Sequence, residues 1–212
     1  MSIQTNAQSR SVLKSQNARE HIKNLKEGVL LVRLHTKQKS IDALKASDRH
    51  TQAEQIEKKV REENLELVNA IKSSFSFCPV YFFYSHDSKF VAEGELEKVG
   101  FLNHKLEIDP SISLDSANYY TAEMGLIEQN TKRTVENIPT GQEDNPNYRH
   151  EPKYYGGSNM RFHAFIIKND EFQQLERPFP YYSRTMNSFF LKKSTEEVIE
   201  RMNQKLFKFL AG

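Results

Sequence analysis

Hydrophobic positions along this chain fall into unbroken apolar runs, strict two-residue alternation and stripes with helical spacing. The densest run is 75–87, FSFCPVYFFYSHD, where six of the chain's 14 Phe and 9 Tyr residues fall within 75–84. A half-wet strand would alternate apolar with polar residues. This run does not, so it predicts a strand over 79–85 with both faces covered. Val80, Phe82 and Tyr84 point one way, Tyr81 and Phe83 the other. The run 29–35 (VLLVRLH) predicts an earlier strand. Leu30, Val32 and Leu34 share one face; Val29, Leu31, Arg33 and His35 share the other, which turns polar toward its carboxyl end. Residues 161–168 (RFHAFIIK) predict another buried strand, with His163 as a hydrogen-bonded core residue. The stretch 118–124 alternates, with Tyr120, Ala122 and Met124 inward and Tyr119, Thr121 and Glu123 outward. It predicts a half-buried antiparallel or edge strand. A short strand is expected at 99–102. Residues 179–184 read as extended, at an edge because of Pro178 and Pro180.

Helical spacing accounts for most of the remainder. Leu13, Ala18, Ile22 and Leu25 predict a helix over 9–27 with Gly28 as its stop, after a loose stretch at 1–8. A short helix carries Ile41 and Leu44. Asp48 is placed to cap a longer one with Ala53, Ile56, Val60, Leu67 and Ile71 on its apolar stripe. Another short helix fits 87–98. A final helix runs from Thr195 to about Leu210, where Ser194 and Glu197 form a capping box. Strand, helix, strand over 29–85 implies a right-handed crossover and a parallel pair. Together these elements predict an α/β fold: a three-layer arrangement around a mixed, mostly parallel sheet of five or six strands, with α+β as the alternative. One domain spans 9–212. It is interrupted by a long loop at about 125–160, which holds three of the seven Pro and four of the eight Gly.

Composition narrows the functional classes. A chain of 212 residues can bury one sizeable core. With 27% charged residues but a formal net charge of only +2, Lys and Arg are interleaved with Glu and Asp, as in EKKVREE at 57–63. No sustained basic face is available to track a phosphate backbone, so nucleic acid is not an expected partner. No apolar stretch approaches the ~18 residues of a membrane span. Cys78 is the one cysteine and can form neither an internal disulfide nor a thiolate metal site by itself. The seven histidines form no i, i+4 helical pair. No metal and no cofactor are therefore expected. The chain as written reads as cytoplasmic. The alternative is export, because SIQTNAQS resembles the tail of a secretory signal with Ala7 near its cleavage point.

Candidate chemistry gathers where the first two strands end. Ligands of open α/β sheets bind outside the carboxyl ends of parallel strands. There, Arg33, His35, Thr36, Lys37 and Lys39 would meet Ser85, His86 and Asp87. A helix start with two lysines suits a phosphate or carboxylate, although no Gly-rich loop precedes it. Ser85, His86 and Asp87 cannot form a catalytic relay with one another, because consecutive residues on an extended chain diverge. No glycine-flanked nucleophile elbow surrounds Ser85. His86 could act as a general acid or base toward a ligand; Asp87 more simply caps the next helix. In the long loop, Tyr148, Arg149, Tyr154 and Tyr155 are candidate interaction residues, since tyrosine and arginine serve as interface anchors. The chain carries no functional motif of a named family. The leading expectation is a non-catalytic binding or interaction module, with a protein partner or small anionic ligand. The alternative is an enzyme or sensor for a small anionic ligand at the carboxyl edge.

Overall fold

A computed structural model describes residues 2–114, 118–127, 162–186 and 191–212, without the side chains of 2–11. Its centre is one six-stranded mixed sheet in the order β3-β2-β1-β4-β5-β6. The strands are β1 (Val29–Leu34), β2 (Val80–Tyr84), β3 (Phe101–Leu102), β4 (Tyr119–Leu126), β5 (His163–Lys168) and β6 (Tyr182–Arg184). The helices are α1 (Ser2–Glu27), α2 (Gln38–Lys45), α3 (His50–Ser74), α4 (Ser88–Ala92) and α5 (Thr195–Ala211). The core trio β2-β1-β4 is parallel. The outer pairings, β2 with β3, β4 with β5 and β5 with β6, are antiparallel. This is the α/β fold expected, with the β1-to-β2 crossover made by α2 and α3.

The two faces of the sheet are covered unequally. Leu30, Val32, Leu34, Phe82, Tyr120, Ala122, Phe165 and Ile167 form one core with α1, α3 and α5. On the other face, Val29, Leu31 and Phe83 meet Val91 of α4 and the loop residues Leu96 and Val99. Among the described residues, one face thus has three long helices and the other a five-residue helix, 3-10 turns and loop.

Several local expectations are corrected. β4 is a central strand, paired with β1 and β5, rather than an edge. Its "outward" Glu123 is buried, because the second face is covered too. His163 opens β5 and is exposed instead of lying in the core. Asp48 adopts φ 56 and does not cap α3, whose N-cap is Arg49. Asp87 precedes α4 without a side-chain capping bond; its Oδ2 accepts the Gly100 N–H at 3.0 Å. α1 begins at Ser2 rather than near Ser9; no Gly or Pro interrupts 2–27 to stop helical propagation. The capping box on α5 is present in both directions.

One turn is built twice. After β3, the Asn103 N–H donates to Glu107 O, Leu106 N–H returns to Asn103 O, and Asn103 Oδ1 accepts the Glu107 N–H. After β5, Asn169 repeats the scheme with Gln173 and Phe172. Leu106 (φ 67) and Phe172 (φ 60) occupy the left-handed region, which is uncommon for bulky residues. Each sends its side chain inward, Leu106 to the thick side and Phe172 to the thin. The asparagine side chain stands in for a missing backbone acceptor and holds the strained corner.

Candidate functional site

At the carboxyl edge the polar residues meet mainly one another. Thr36 and Ser85 follow the carboxyl ends of adjacent parallel strands, and their hydroxyls lie 3.3 Å apart. The Thr36 N–H donates to Ser85 Oγ at 3.4 Å, and Ser88 Oγ donates to Ser85 O at 2.7 Å. His86 is exposed, lies beside the Tyr84 ring and has Nε2 3.6 Å from Asp87 Oδ1. Lys37 takes φ 51 just before α2, and its carbonyl accepts the N–H groups of Ser40 and Ile41. Lys39 is exposed on α2. Tyr148, Arg149, Tyr154 and Tyr155 lie outside the described residues.

Arg33 and His35 turn toward β4 rather than toward Ser85. Glu123 Oε2 lies 2.8 Å from an Arg33 terminal nitrogen and 3.5 Å from His35 Nε2. Its Oε1 lies 3.1 Å from Lys168 Nζ. The register explains the meeting: Val32 pairs with Ala122, so the next residues of two parallel strands share the thin face. Phe172 covers the group, with the Arg33 guanidinium 5.8 Å from its ring centre. Burial alone would raise the Glu123 carboxyl. The charge and hydrogen bond of Lys168, then Arg33 and His35, outweigh it and hold the group below its ordinary range. His35 Nε2 also lies 3.2 Å from Met124 O, and Asn64 donates to His35 O. A buried carboxylate surrounded by cations is an anchor between β1, β4 and β5, and it occupies the charges an incoming anion would use.

The opposite, amino edge carries an open cleft of about 300 Å³. His21 and Asn24 of α1, Asn118, Tyr119 and Tyr120 at the start of β4, and Asn169 and Asp170 of the turn after β5 line it. Tyr120 fixes one wall: its hydroxyl lies 2.9 Å from His21 Nδ1. Burial is the main reason the Tyr120 phenol is pushed up to about 12; an Asn24 hydrogen bond opposes this, while Asp170 and Glu20 add to it. The phenol therefore keeps its proton at neutral pH. Tyr119 donates to Val91 O at 2.6 Å and ties the floor to the thin layer. Gly28 makes the tight entry from α1 to β1 possible. A Cβ there would lie 2.1 Å from Asn118 O, inside contact distance. The lining offers amide, hydroxyl, imidazole and carboxylate groups and no lysine or arginine. It suits a polar neutral or basic guest over an anion.

Nothing in the sequence pattern points to this cleft. Its walls are distant in the chain, and Asn, His and Tyr at strand and helix ends carry no diagnostic spacing. Cys78 is buried, and that burial pushes its thiol up to about 12 despite the nearby Lys26 charge, so it is a structural cysteine. Among the described residues no group of three or more His, Cys, Asp or Glu side chains is placed to hold a metal ion. No described helix is long and apolar enough to cross a membrane. No protein-family model, curated protein or solved structure matches the chain.

Proposed function

We propose that this chain is a non-catalytic binding domain that holds a small polar ligand, neutral or basic, in the amino-edge cleft. The observation that carries this reading is the cleft itself, lined by polar residues of α1, the start of β4 and the turn after β5. Such convergence of polar groups from separate elements is the ordinary form of a small-molecule site. The candidate catalytic groups give weaker support to an enzyme. Ser85 contacts Thr36, and Asp87 holds Gly100. The alternative, an enzyme or sensor for an anionic ligand at the carboxyl edge, uses Lys37, Lys39 and His86. It also requires Arg33 and His35 to exchange Glu123 for the ligand.

Thermal-shift and calorimetric titration with monosaccharides, neutral amino acids and basic amino acids tests the proposal. At least one class stabilises the wild-type chain, and Asp170→Ala with Asn24→Ala removes that gain. If no class shifts the melting temperature, or the double variant responds like wild type, the amino-edge site is wrong. Stabilisation by phosphate or carboxylate that is lost in Lys37→Ala/His86→Ala would favour the carboxyl-edge alternative.

A further inference from the structure

The outer edge of the sheet holds a group of charges unrelated to either site. Arg177 donates to the Tyr182 hydroxyl at 3.0 Å. The Arg184 guanidinium lies 4.1 Å from the Phe162 ring centre and 5.9 Å from that of Tyr182. Lys205 Nζ sits 5.1 Å from the Tyr182 ring centre and 2.7 Å from the Tyr182 carbonyl. Lys193 Nζ lies 3.5 Å from Arg184 O. Arg201 stands four residues before Lys205 on α5, on the same helix face. We propose that these five cations, with Arg177, Arg184 and Lys205 on Tyr182 and Lys193 and Arg201 beside them on the rim formed by β6 and α5, bind a compact multivalent oxyanion.

Three observations carry this. First, among the described residues none of the five forms an ion pair with a carboxylate. Of the two carboxylates that follow Lys193, Glu196 accepts the Ser73 and Ser74 hydroxyls and Glu197 is committed to the Ser194 capping box. Second, the whole chain carries a net charge of only +2, so five cations on one rim are a local concentration rather than a general basicity. Like charges so placed repel unless an anion sits among them. The half-buried Lys193 and Lys205 amines are both held below their ordinary value, first by burial and then by neighbouring cations including Arg201. For the Tyr182 phenol, burial acts upward, but Arg177 and Arg184 outweigh it and pull the group down. Third, the charges come from the turn before β6, β6 itself, the segment leading into α5 and α5, and three of them touch the one Tyr182 side chain. That outline matches a small polyvalent anion, such as a phosphate ester or polycarboxylate, better than an extended polyanion.

Edge protection explains part of the arrangement. Among the described residues β6 is the outermost strand, and Lys193 and Lys205 cover two of its outward carbonyls, which discourages pairing with another chain. It does not call for Arg177, Arg184 or Arg201, whose exposed guanidinium groups are the forks that grip oxyanions.

The full chain is titrated with inorganic pyrophosphate and with citrate, against sodium chloride at matched ionic strength. The expected result is saturable binding to one or both anions, weakened about tenfold or more by Arg177→Ala/Arg184→Ala. Both positions are exposed, and circular dichroism checks the fold. An independent readout is the alkaline ultraviolet titration of wild type minus Tyr182→Phe, in which anion binding moves the Tyr182 ionisation upward. Absence of saturable binding by either anion, or equal binding by the double variant, overturns the proposal. Retention of cleft ligands by the rim variant would show the two sites to be independent.

Discussion

The two ends of the parallel trio differ in how they use polar side chains. At the carboxyl end, polar groups are turned inward on the protein: Thr36 on Ser85, Asp87 on Gly100, Arg33 and His35 on Glu123. At the amino end, Asn24, Asn118, Asn169 and Asp170 border an open cleft, even though Asn169 Oδ1 also accepts the Gln173 N–H and Asp170 Oδ1 the Glu171 N–H. In many open α/β sheets the ligand sits in a crevice outside the carboxyl ends of the strands, where the strand order reverses. Here that end is tied down, and the opening is at the other. Strand polarity indicates where a site could be; the partners already engaged by each side chain decide whether it is available.

The largest test of this contrast is Glu123→Ala. Breaking a buried ion pair from one side typically costs about 3 kcal/mol or more, and chemical denaturation reads the loss. Its pH dependence has a defined sign. The folded Glu123 pKa lies below the unfolded value, so its contribution is present above the ordinary glutamate range and lost as pH falls through the folded value. Wild type should therefore lose stability on acidification more steeply than Glu123→Gln. A flat difference between the two would remove the anchor role.

Next comes Gly28→Ala, which drives a methyl group against Asn118 O. Overpacking of this kind costs about 1–3 kcal/mol and should also distort the cleft, so stability and ligand response fall together. Ser85→Ala should cost much less, about 0.5 kcal/mol, because its contacts with Thr36 are 3.3–3.4 Å long. A loss near that of Glu123→Ala would mean that Ser85 does more than link two strands. Smallest in stability is Asp170→Asn, expected within about 0.5 kcal/mol at an exposed turn, while ligand binding at the amino edge changes. Finally, Cys78, just before β2 at the amino end, should resist thiol reagents at pH 8 until the chain unfolds, since its thiol stands at about 12. Rapid native labelling would show that this end opens readily.

The sheet was legible because its signals are local. Both faces of β1 and β2 follow from residue parity, and the parallel pairing follows from the helix between them. The Ser194–Glu197 box announced α5. Glu123 was not legible: an alternating strand with one charged position looks solvent-facing unless Arg33 and Lys168 are known to share its face. The placement of β4 in the middle of the sheet depended on the same missing fact. His163 looks like a core residue because its apolar neighbours continue along β5, but it stands exposed at the strand's first position. The cleft was less visible still. Its hydrogen-bonded wall joins His21 and Tyr120 across 99 residues, and no spacing rule reaches that far.

The doubled asparagine corner makes the amino edge easy to re-engineer. Residues 103–107 (NHKLE) and 169–173 (NDEFQ) trace the same backbone path through matching hydrogen bonds. Transplanting the first segment into the second would keep the hinge shape while putting an imidazole where the Asp170 carboxylate now borders the cleft. The chain thus contains its own spare part for inverting the preference of that opening, with no new loop to invent.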